Sequence, residues 1–245
     1  IMPQYRIIYF NKLESTNKYA LDNILQLDDK TIIRARTQTN GYGRFKRKWI
    51  SDDYDNLYFS IVLKPSENLD NTLPLPNLTQ YMSVIIAELI EKYGLTPEIK
   101  WPNDVKINRK KVSGILSETS IRGNKLNGIV IGVGINLNTK RDVLSKIDQP
   151  ATSISLELKK ETDPDIFLRS LLNAFFDEYD TFMEKGFNLI KERYTSKCTF
   201  LGKEILIKNF DKEQRATAAQ INNDGSLLID DKGHKSVVLV GDILC

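Results

Sequence analysis

The sequence predicts an α+β fold in two parts, a mixed β-sheet flanked by helices over residues 1–195 and a small β-barrel over residues 196–245. Before the boundary, β-branched segments of alternating polarity are interspersed with stretches of helical period. After the boundary, only short strands separated by hairpin turns follow, a pattern typical of a small barrel. A chain of 245 residues, 41% of them hydrophobic, is long enough to bury a sizeable core.

Charge and cysteine content exclude several classes of protein. The net charge is only +3, and residues 196–245 hold seven basic and seven acidic side chains, so we expect no binding to nucleic acid. Cys198 and Cys245 provide neither a disulfide framework nor metal-ligand spacing, and they fit a reducing cytoplasm. No apolar run reaches the ~18 residues that span a bilayer. We therefore expect a cytoplasmic protein without a membrane segment.

The first predicted elements lead into a glycine-containing loop. Residues 5–10 and 31–37 predict strands, and the Ser-Thr-Asn run at residues 15–17 offers side chains that cap a short helix. The apolar residues of that helix are Tyr19, Ala20, Ile24 and Leu25. A further strand over residues 56–63 places the loop between two strands, a common position for a segment that closes over a ligand.

The loop is basic and ends in an aromatic residue. Gly41 and Gly43 let the backbone bend and approach a ligand closely. The cations and the ring that follow are Arg44, Lys46, Arg47, Lys48 and Trp49. Backbone amides and cations together bind phosphate, and a tryptophan can cover a flat ring. The alternative interpretation is a solvated basic loop that is closed by a core tryptophan.

A core helix is predicted over residues 74–93, where apolar side chains recur at helical spacing up to Gly94. Its apolar face comprises Met82, Ile85, Ile86, Leu89 and Ile90. Pro102 then interrupts an apolar run, so we expect the backbone to bend there. The bend would aim Asn103 and Asp104 at a partner group.

Lys111 begins the strand that returns after a turn at residues 108–109. Strict alternation puts Lys111, Ser113 and Ile115 on one face of that strand. A lysine at the start of a strand is usually solvated. The neighbouring Gly114, however, leaves room for a ligand against the backbone.

The rest of the chain predicts one more strand, two helices and the barrel. Residues 126–133 predict a buried strand that leads into a Gly-Val-Gly run, where glycines often serve close packing. A long helix begins at Pro164, and a short one follows over residues 189–194. The apolar face of the long helix comprises Ile166, Leu168, Leu171, Leu172, Phe175, Phe176, Tyr179 and Phe182. The predicted barrel strands are residues 204–208, 216–221, 227–230 and 235–239.

The residues that the sequence lacks restrict its chemistry. His234 is the only histidine, and we expect it in a β-turn, which argues against a Ser/His/Asp triad, a Cys/His pair and a histidine-ligated zinc. The glycine loop has neither the Gly-Lys-Ser/Thr of a Walker motif nor the third glycine of a dinucleotide fingerprint. The groups that remain available for binding and catalysis are lysine, arginine, asparagine, aspartate and backbone amides. They suit transfer of a phosphoryl or adenylyl group, in which the substrate supplies the nucleophile.

Four separated blocks occur in the order of one known family. They are Ser15-Thr16-Asn17, residues 38–49, Lys100-Trp101-Pro102-Asn103-Asp104 with Lys111-Val112-Ser113-Gly114-Ile115-Leu116, and Gly132-Val133-Gly134-Ile135-Asn136. In these blocks the chain resembles the biotin protein ligases (biotin–[acetyl-CoA-carboxylase] ligases) over nearly its whole length. The resemblance implies a class II aminoacyl-tRNA synthetase/biotin synthetase-like fold with an SH3-like C-terminal barrel. It also implies ATP, biotin and Mg²⁺ as ligands and a biotin carboxyl carrier protein as the partner.

The resemblance further implies roles for individual residues. The positions that match biotin-binding residues are Ser15, Thr16, Asn17, Gln38, Gly41, Tyr42, Gly43, Arg44, Lys111 and Gly114. The positions that match ATP-binding residues are Arg44, Arg47, Trp49, Asn103, Lys111 and Asn136. Catalytic roles fall to Lys111 and Arg44, which would stabilise charge on the α-phosphate, and to Asp104, which would orient or deprotonate the acceptor lysine.

Two departures from the family pattern affect these expectations. Tyr42 replaces the first arginine of the usual Gly-Arg-Gly-Arg. Because a phenol cannot bind phosphate bidentately, we expect the backbone of residue 42 to make the useful contact. Few residues precede Ser15, so we expect a ligase without a helix-turn-helix domain. A lipoate or octanoate ligase and a non-catalytic biotin-binding regulator are the alternatives, and the sequence selects neither monomer nor homodimer.

Overall fold

The computed structural model of the protein describes residues 4–65, 73–209 and 212–244, so Cys245 lies outside the described residues. Within them, the strands form a seven-stranded mixed sheet and a separate five-stranded antiparallel sheet. Helices pack against the larger sheet. The predicted α+β class, with a final segment made of strands alone, is confirmed. Among the described residues, no helix combines the length and the apolar character needed to cross a membrane.

The larger sheet contains seven strands. In chain order they are β1 (Arg6–Leu13), β2 (Thr31–Gln38), β3 (Leu57–Leu63), β4 (Pro97–Lys100), β5 (Asp104–Ile107), β6 (Lys110–Arg122) and β7 (Lys125–Ile135). Side by side, their order is β1-β2-β3-β7-β6-β5-β4. β1 and β2 are parallel, and the other neighbours are antiparallel. Every residue of β3 is buried, so both faces of the sheet are covered at its centre.

Six α-helices accompany the sheet within the described residues. They are α1 (Thr16–Asp22), α2 (Leu78–Lys92), α3 (Arg141–Leu144), α4 (Ile154–Leu158), α5 (Pro164–Lys185) and α6 (Lys191–Thr195). α2 and α5 pack together, and the rings of Tyr81 and Phe182 stack with their centroids 4.3 Å apart. The predicted core face of α2 is confirmed, since all five of its named residues are buried.

Two predicted helix faces were wrong in detail. α1 ends at Asp22, so Ile24 and Leu25 lie beyond it, and Leu25 is exposed. Ile166 of α5 is also exposed. It precedes Leu168 by two positions, which is about 200° around a helix, so it faces away from the buried side. The other predicted apolar residues of α5 are buried.

A β-bulge overturns the strict alternation that we expected around Lys111. The register between β5 and β6 shifts at residues 105–106, which gives β6 one extra residue. Ile115 consequently packs in the apolar core. Lys111 instead lies beside Gly114, where an added Cβ would be 3.2 Å from the lysine Nζ. The expectation that Lys111 shares a face with Ser113 and Ile115 is therefore wrong.

The second sheet follows α6. Its strands are β8 (Glu204–Asn209), β9 (Lys212–Ile221), β10 (Leu227–Asp231), β11 (His234–Val238) and β12 (Asp242–Ile243), in the order β11-β10-β9-β8-β12. The sequence did not predict β12, and His234 begins β11 rather than lying in a turn. Ile205, Ile207 and Leu227 belong to the same apolar core as the residues of the larger sheet. The two sheets are thus joined by continuous packing.

The bend predicted at Pro102 is confirmed. β4 and β5 form an antiparallel hairpin, and the Trp101–Pro102 peptide bond between them is cis. The indole Nε1 of Trp101 donates a hydrogen bond to the Gly225 carbonyl of the second sheet, at 3.0 Å. The Tyr194 hydroxyl donates to the Pro102 carbonyl at 3.0 Å. These contacts fix the segment that presents Asp104.

Candidate active site

A cleft lies where α1, the loop after β2, the β4–β5 hairpin and β12 meet over β6 and β7. Most of the predicted site residues line it: Ser15, Thr16, Asn17, Gln38, Tyr42, Gly43, Arg44, Arg47, Trp49, Asn103, Asp104, Lys111 and Gly114. Two predicted residues do not. Gly41 is buried beneath Gln38, and Asn136 is buried after β7, where its backbone N–H donates to the Val112 carbonyl at 2.8 Å.

One wall of the cleft is the first turn of α1. Ser15 caps this helix, as predicted, because its Oγ accepts a hydrogen bond from the backbone N–H three residues later, at 3.3 Å. The Oε1 of Gln38 accepts from the Thr16 N–H at 2.8 Å. Ser60 Oγ lies 2.8 Å from Thr16 Oγ1 and 2.6 Å from Asn17 Oδ1. The wall is therefore a buried, hydrogen-bonded polar surface.

The loop after β2 closes over the cleft as a small hairpin. Its backbone bonds run from Trp49 N–H to the Gly41 carbonyl and from Gly43 N–H to the Arg47 carbonyl, each at 2.8 Å. Both loop arginines reach the C-terminal sheet. Arg44 donates to the Gly241 carbonyl at 2.9 Å, and Arg47 pairs with Asp242 at 2.6 Å. The second sheet thus anchors the loop.

Two glycines form a flat floor beneath Trp49. Gly114 of β6 and Gly134 of β7 are directly paired across the strands. A Cβ at Gly134 would lie 2.5 Å from the indole Cε2, and a Cβ at Gly114 would lie 2.9 Å from Cζ3. The expectation that the glycines of the Gly-Val-Gly run serve close packing is confirmed. The Trp49 Nε1 is buried without a hydrogen-bond partner among the described residues, so it is a donor available to a ligand.

Asp104 lies at the centre of a row of charges. Its carboxylate is 2.9 Å from Lys111 Nζ and 3.4 Å from Lys100 Nζ. Lys100 in turn lies 3.3 Å from Asp242, which also pairs with Arg47. Burial acts to raise the pKa of Asp104, but Lys111 and Lys100 outweigh it and hold the pKa below the usual value. Asp104 is therefore ionised at neutral pH.

The cleft carries more positive than negative side chains. The cations that line it are Arg44, Arg47, Lys48 and Lys111, whereas its lining carboxylates among the described residues are Asp104 and Asp242. Burial lowers the pKa of Arg44, and Asp242 and Asp104 oppose this effect. In a partly buried site such an excess of cations favours an anionic ligand.

Several residues of the cleft were not predicted from the sequence. The most informative are Asp242 and Gln149, both of which line it. Asp242 reaches the loop across 195 positions of the chain, and no local pattern marks a single acidic residue on a short final strand. Gln149 directly precedes Pro150, and the carbonyl of Pro150 accepts a hydrogen bond from the backbone N–H of Lys111 at 2.9 Å.

Comparison with known proteins identifies the family. Residues 9–136 match the biotin/lipoate A/B protein ligase family. The chain is 31% identical over 233 residues to the bifunctional ligase/repressor BirA of Bacillus subtilis, covering 94% of this chain and 70% of that protein. It is 28% identical over 243 residues to the biotin–[acetyl-CoA-carboxylase] ligase of Paracoccus denitrificans, covering 95% and 97% of the two chains. Biotin protein ligase from Aquifex aeolicus, in complex with biotin and ATP, has a TM-score of 0.82 at 29% identity and 97% coverage of both chains. The chain therefore belongs to the biotin/lipoate A/B protein ligase family.

Proposed function

We propose that the protein is a biotin protein ligase, which activates biotin with ATP to biotinyl-5′-AMP and transfers the biotinyl group to one lysine of a biotin carboxyl carrier protein. One observation carries this function. The amine of Lys111 lies against the Gly114 floor of the cleft, while the loop that bears Arg44 and Arg47 closes above it. Such an arrangement can hold a carboxylate and a nucleotide phosphate side by side.

In the first half-reaction, a carboxylate oxygen of biotin attacks the α-phosphorus of ATP. A new P–O bond forms, the bond to the bridging oxygen of the β-phosphate breaks, and pyrophosphate leaves. The carboxylate is already ionised at neutral pH, so no histidine or cysteine base is needed. Lys111 and Arg44 supply positive charge where negative charge develops on the α-phosphate oxygens.

We expect Mg²⁺ to enter the site with the phosphates of ATP. The two carboxylates that line the cleft, Asp104 and Asp242, are each paired with cations. Among the described residues, no group of three potential metal-ligating side chains occurs. This donor set fits a magnesium ion that is held mainly by substrate phosphates and water. When bound, the ion neutralises charge on the leaving pyrophosphate.

In the second half-reaction, the amine of the acceptor lysine attacks the acyl carbon of biotinyl-5′-AMP. A C–N bond forms, the C–O bond to AMP breaks, and the proton that the amine loses passes to solvent water. The depressed pKa of Asp104 makes this carboxylate a weak base. We therefore assign Asp104 to orientation, because it holds Lys111 in place and can also attract the incoming ammonium group.

The polar wall favours biotin over lipoate as the acid. The wall combines side chains of α1 with the amide of Gln38 and the hydroxyl of Ser60. A ureido group can exchange hydrogen bonds with such a surface. A dithiolane ring carries no N–H donor and no oxygen acceptor, so it would gain none of these hydrogen bonds.

The adenylate is expected beside Trp49, whose unpartnered indole N–H and flat ring suit a nucleobase or phosphate. Asn103 donates a side-chain hydrogen bond to the Ile115 carbonyl, which holds the hairpin against β6. The backbone of Asn136 joins Val112 to Ile154, the first residue of α4. Direct binding of ATP by both residues stays a prediction.

We also assign biotin and ATP binding to a catalytic unit over residues 1–195 and treat residues 196–245 as an SH3-like barrel that braces the loop. A cytoplasmic location is consistent with the unpaired, buried Cys198. Mass spectrometry of a biotin carboxyl carrier domain, after incubation with the protein, biotin, ATP and Mg²⁺, tests the function. We expect one biotinyl group on one lysine, and an unmodified carrier would refute the function.

A further inference from the structure

One carboxyl oxygen joins the loop to the polar wall of the cleft. The hydroxyl of Tyr42 donates a hydrogen bond to Glu118 Oε2 at 2.9 Å. The side-chain amide of Asn17 donates to the same oxygen at 2.8 Å. Glu118 lies on β6, on the strand that also carries Lys111. It therefore ties the movable side of the cleft to its fixed side.

Tyr42 is well placed to hold the loop. It forms a β-bridge with Lys48 across the loop hairpin, and the Lys46 Nζ lies 4.3 Å from the centre of its ring. Burial and the bond to Glu118 raise the pKa of Tyr42 above its usual range, so the hydroxyl stays protonated and remains a donor. The side chain thus has a fixed position and a fixed protonation state.

The closed loop has to open during each reaction cycle. With the loop closed, the cleft has a volume of about 100 Å³, whereas small-molecule sites usually occupy about 300 Å³ or more. Phe45 and Lys46 have φ values of 56° and 57°, the left-handed region that residues with a Cβ rarely adopt. Side-chain contacts therefore contribute to holding this strained loop over the narrow cleft.

We propose that Tyr42 and Glu118 form a latch, which holds the loop over bound biotin and sets the rate at which biotin and its adenylate escape. Tyr42 and Glu118 act here as positioning residues, since Glu118 reaches the ligand only through Tyr42 and Asn17. The identity of the ligand rests on the proposed function, but the latch itself does not. Because the donor is a neutral phenol, the Tyr42–Glu118 bond itself depends little on salt.

Tyr42→Phe removes only the donor and tests the latch directly. We expect biotin to dissociate about tenfold faster, in line with the loss of one hydrogen bond to a charged acceptor. The substitution should raise KM for biotin by a larger factor than it lowers kcat. In a Glu118→Ala background, Tyr42→Phe should add less than twofold, because its hydrogen-bond partner is already gone. Additive effects would overturn the latch.

Tyr42→Arg provides a rescue that a merely structural role would not show. An arginine can also donate to Glu118, but as an ion pair. We expect slow biotin dissociation at low salt and a rate that rises about fivefold more toward 1 M salt than the wild-type rate does, because only the variant contacts Glu118 through an ion pair. Equal salt dependence in both proteins would contradict a latch formed by the phenol.

Amide hydrogen exchange of the unliganded protein separates the latch from the proposed function. We expect Tyr42→Phe to increase exchange at Gly43 and Trp49, whose N–H groups close the loop hairpin. Tyr54→Phe is the matched control, because Tyr54 lies exposed between the same two strands and should not alter exchange. Unchanged exchange in Tyr42→Phe would overturn the latch. If Tyr42→Phe increases exchange but the wild-type protein forms no biotinyl-5′-AMP, the latch is supported and the proposed function is refuted.

Discussion

The Nζ atom of Lys111 lies 2.9 Å from Oδ1 of Asp104, and less than a fifth of either side chain is exposed, at 16% and 8%. Asp104 also pairs with Lys100, so one carboxylate is shared by two amines. The pairing orients Lys111 over the glycine floor without neutralising the whole site. A ligand phosphate can therefore still gain from the remaining positive charge.

Lys111→Ala should lower the rate of biotinyl-5′-AMP formation by about 10²- to 10³-fold, because a positioned cation is lost where charge develops. Lys110→Ala is the matched control. Lys110 is the exposed lysine next to it on β6, and its loss should change the rate less than about twofold. Single-turnover formation of the adenylate measures both. A rate for Lys111→Ala within tenfold of wild type would remove this residue from the chemistry.

Asp104→Asn should destabilise the fold by about 3 kcal/mol, because it leaves two largely buried amines without their shared counter-charge. The folded-state pKa of Asp104 lies below its unfolded value. Its contribution is therefore fully present above about pH 4 and is lost as the pH falls further. Urea unfolding at several pH values measures this dependence. The stability gap between wild type and variant should narrow below about pH 4, and a gap that widens there would contradict the depressed pKa.

The local parts of the fold and site were predictable because each rests on neighbouring residues. The Ser-Thr-Asn cap, the glycine loop and the bend at Pro102 are set by residue types that favour one backbone conformation. The bulge at Val112, directly after Lys111, was not predictable, since it depends on the pairing of β6 with β5. Asp242 was also missed, because its partners Lys100 and Arg47 are distant in the sequence. Tertiary pairing, rather than composition, decides such contacts.

Asp242→Asn should weaken the hold of the second sheet on the loop. The substitution removes the carboxylate that pairs with both Arg47 and Lys100, so the loop is less ordered before substrates bind. Part of the binding free energy is then used to order the loop. We expect KM for ATP to rise by about five- to tenfold. Asp231→Asn is the control, since Asp231 is an exposed residue of the same sheet. An equal effect of both substitutions would show that the loop does not depend on Asp242.

Gly134→Ala should displace Trp49, because the added Cβ would lie 2.5 Å from its indole ring. We expect ATP to bind about tenfold more weakly in this variant. In a Trp49→Ala background the same glycine substitution should cost less than about twofold, because the clashing ring is gone. Isothermal titration with ATP across the four proteins measures the coupling. Additive losses would show that the glycine serves the sheet rather than the tryptophan.

The most direct test is to incubate the purified protein with ATP and Mg²⁺ and either biotin or lipoate, and to measure pyrophosphate release and the acyl-adenylate. Biotin should give pyrophosphate and biotinyl-5′-AMP in equal amounts, and lipoate should give little of either. If biotin yields no adenylate, or if lipoate is activated at least as fast, the cleft around Lys111 does not activate biotin.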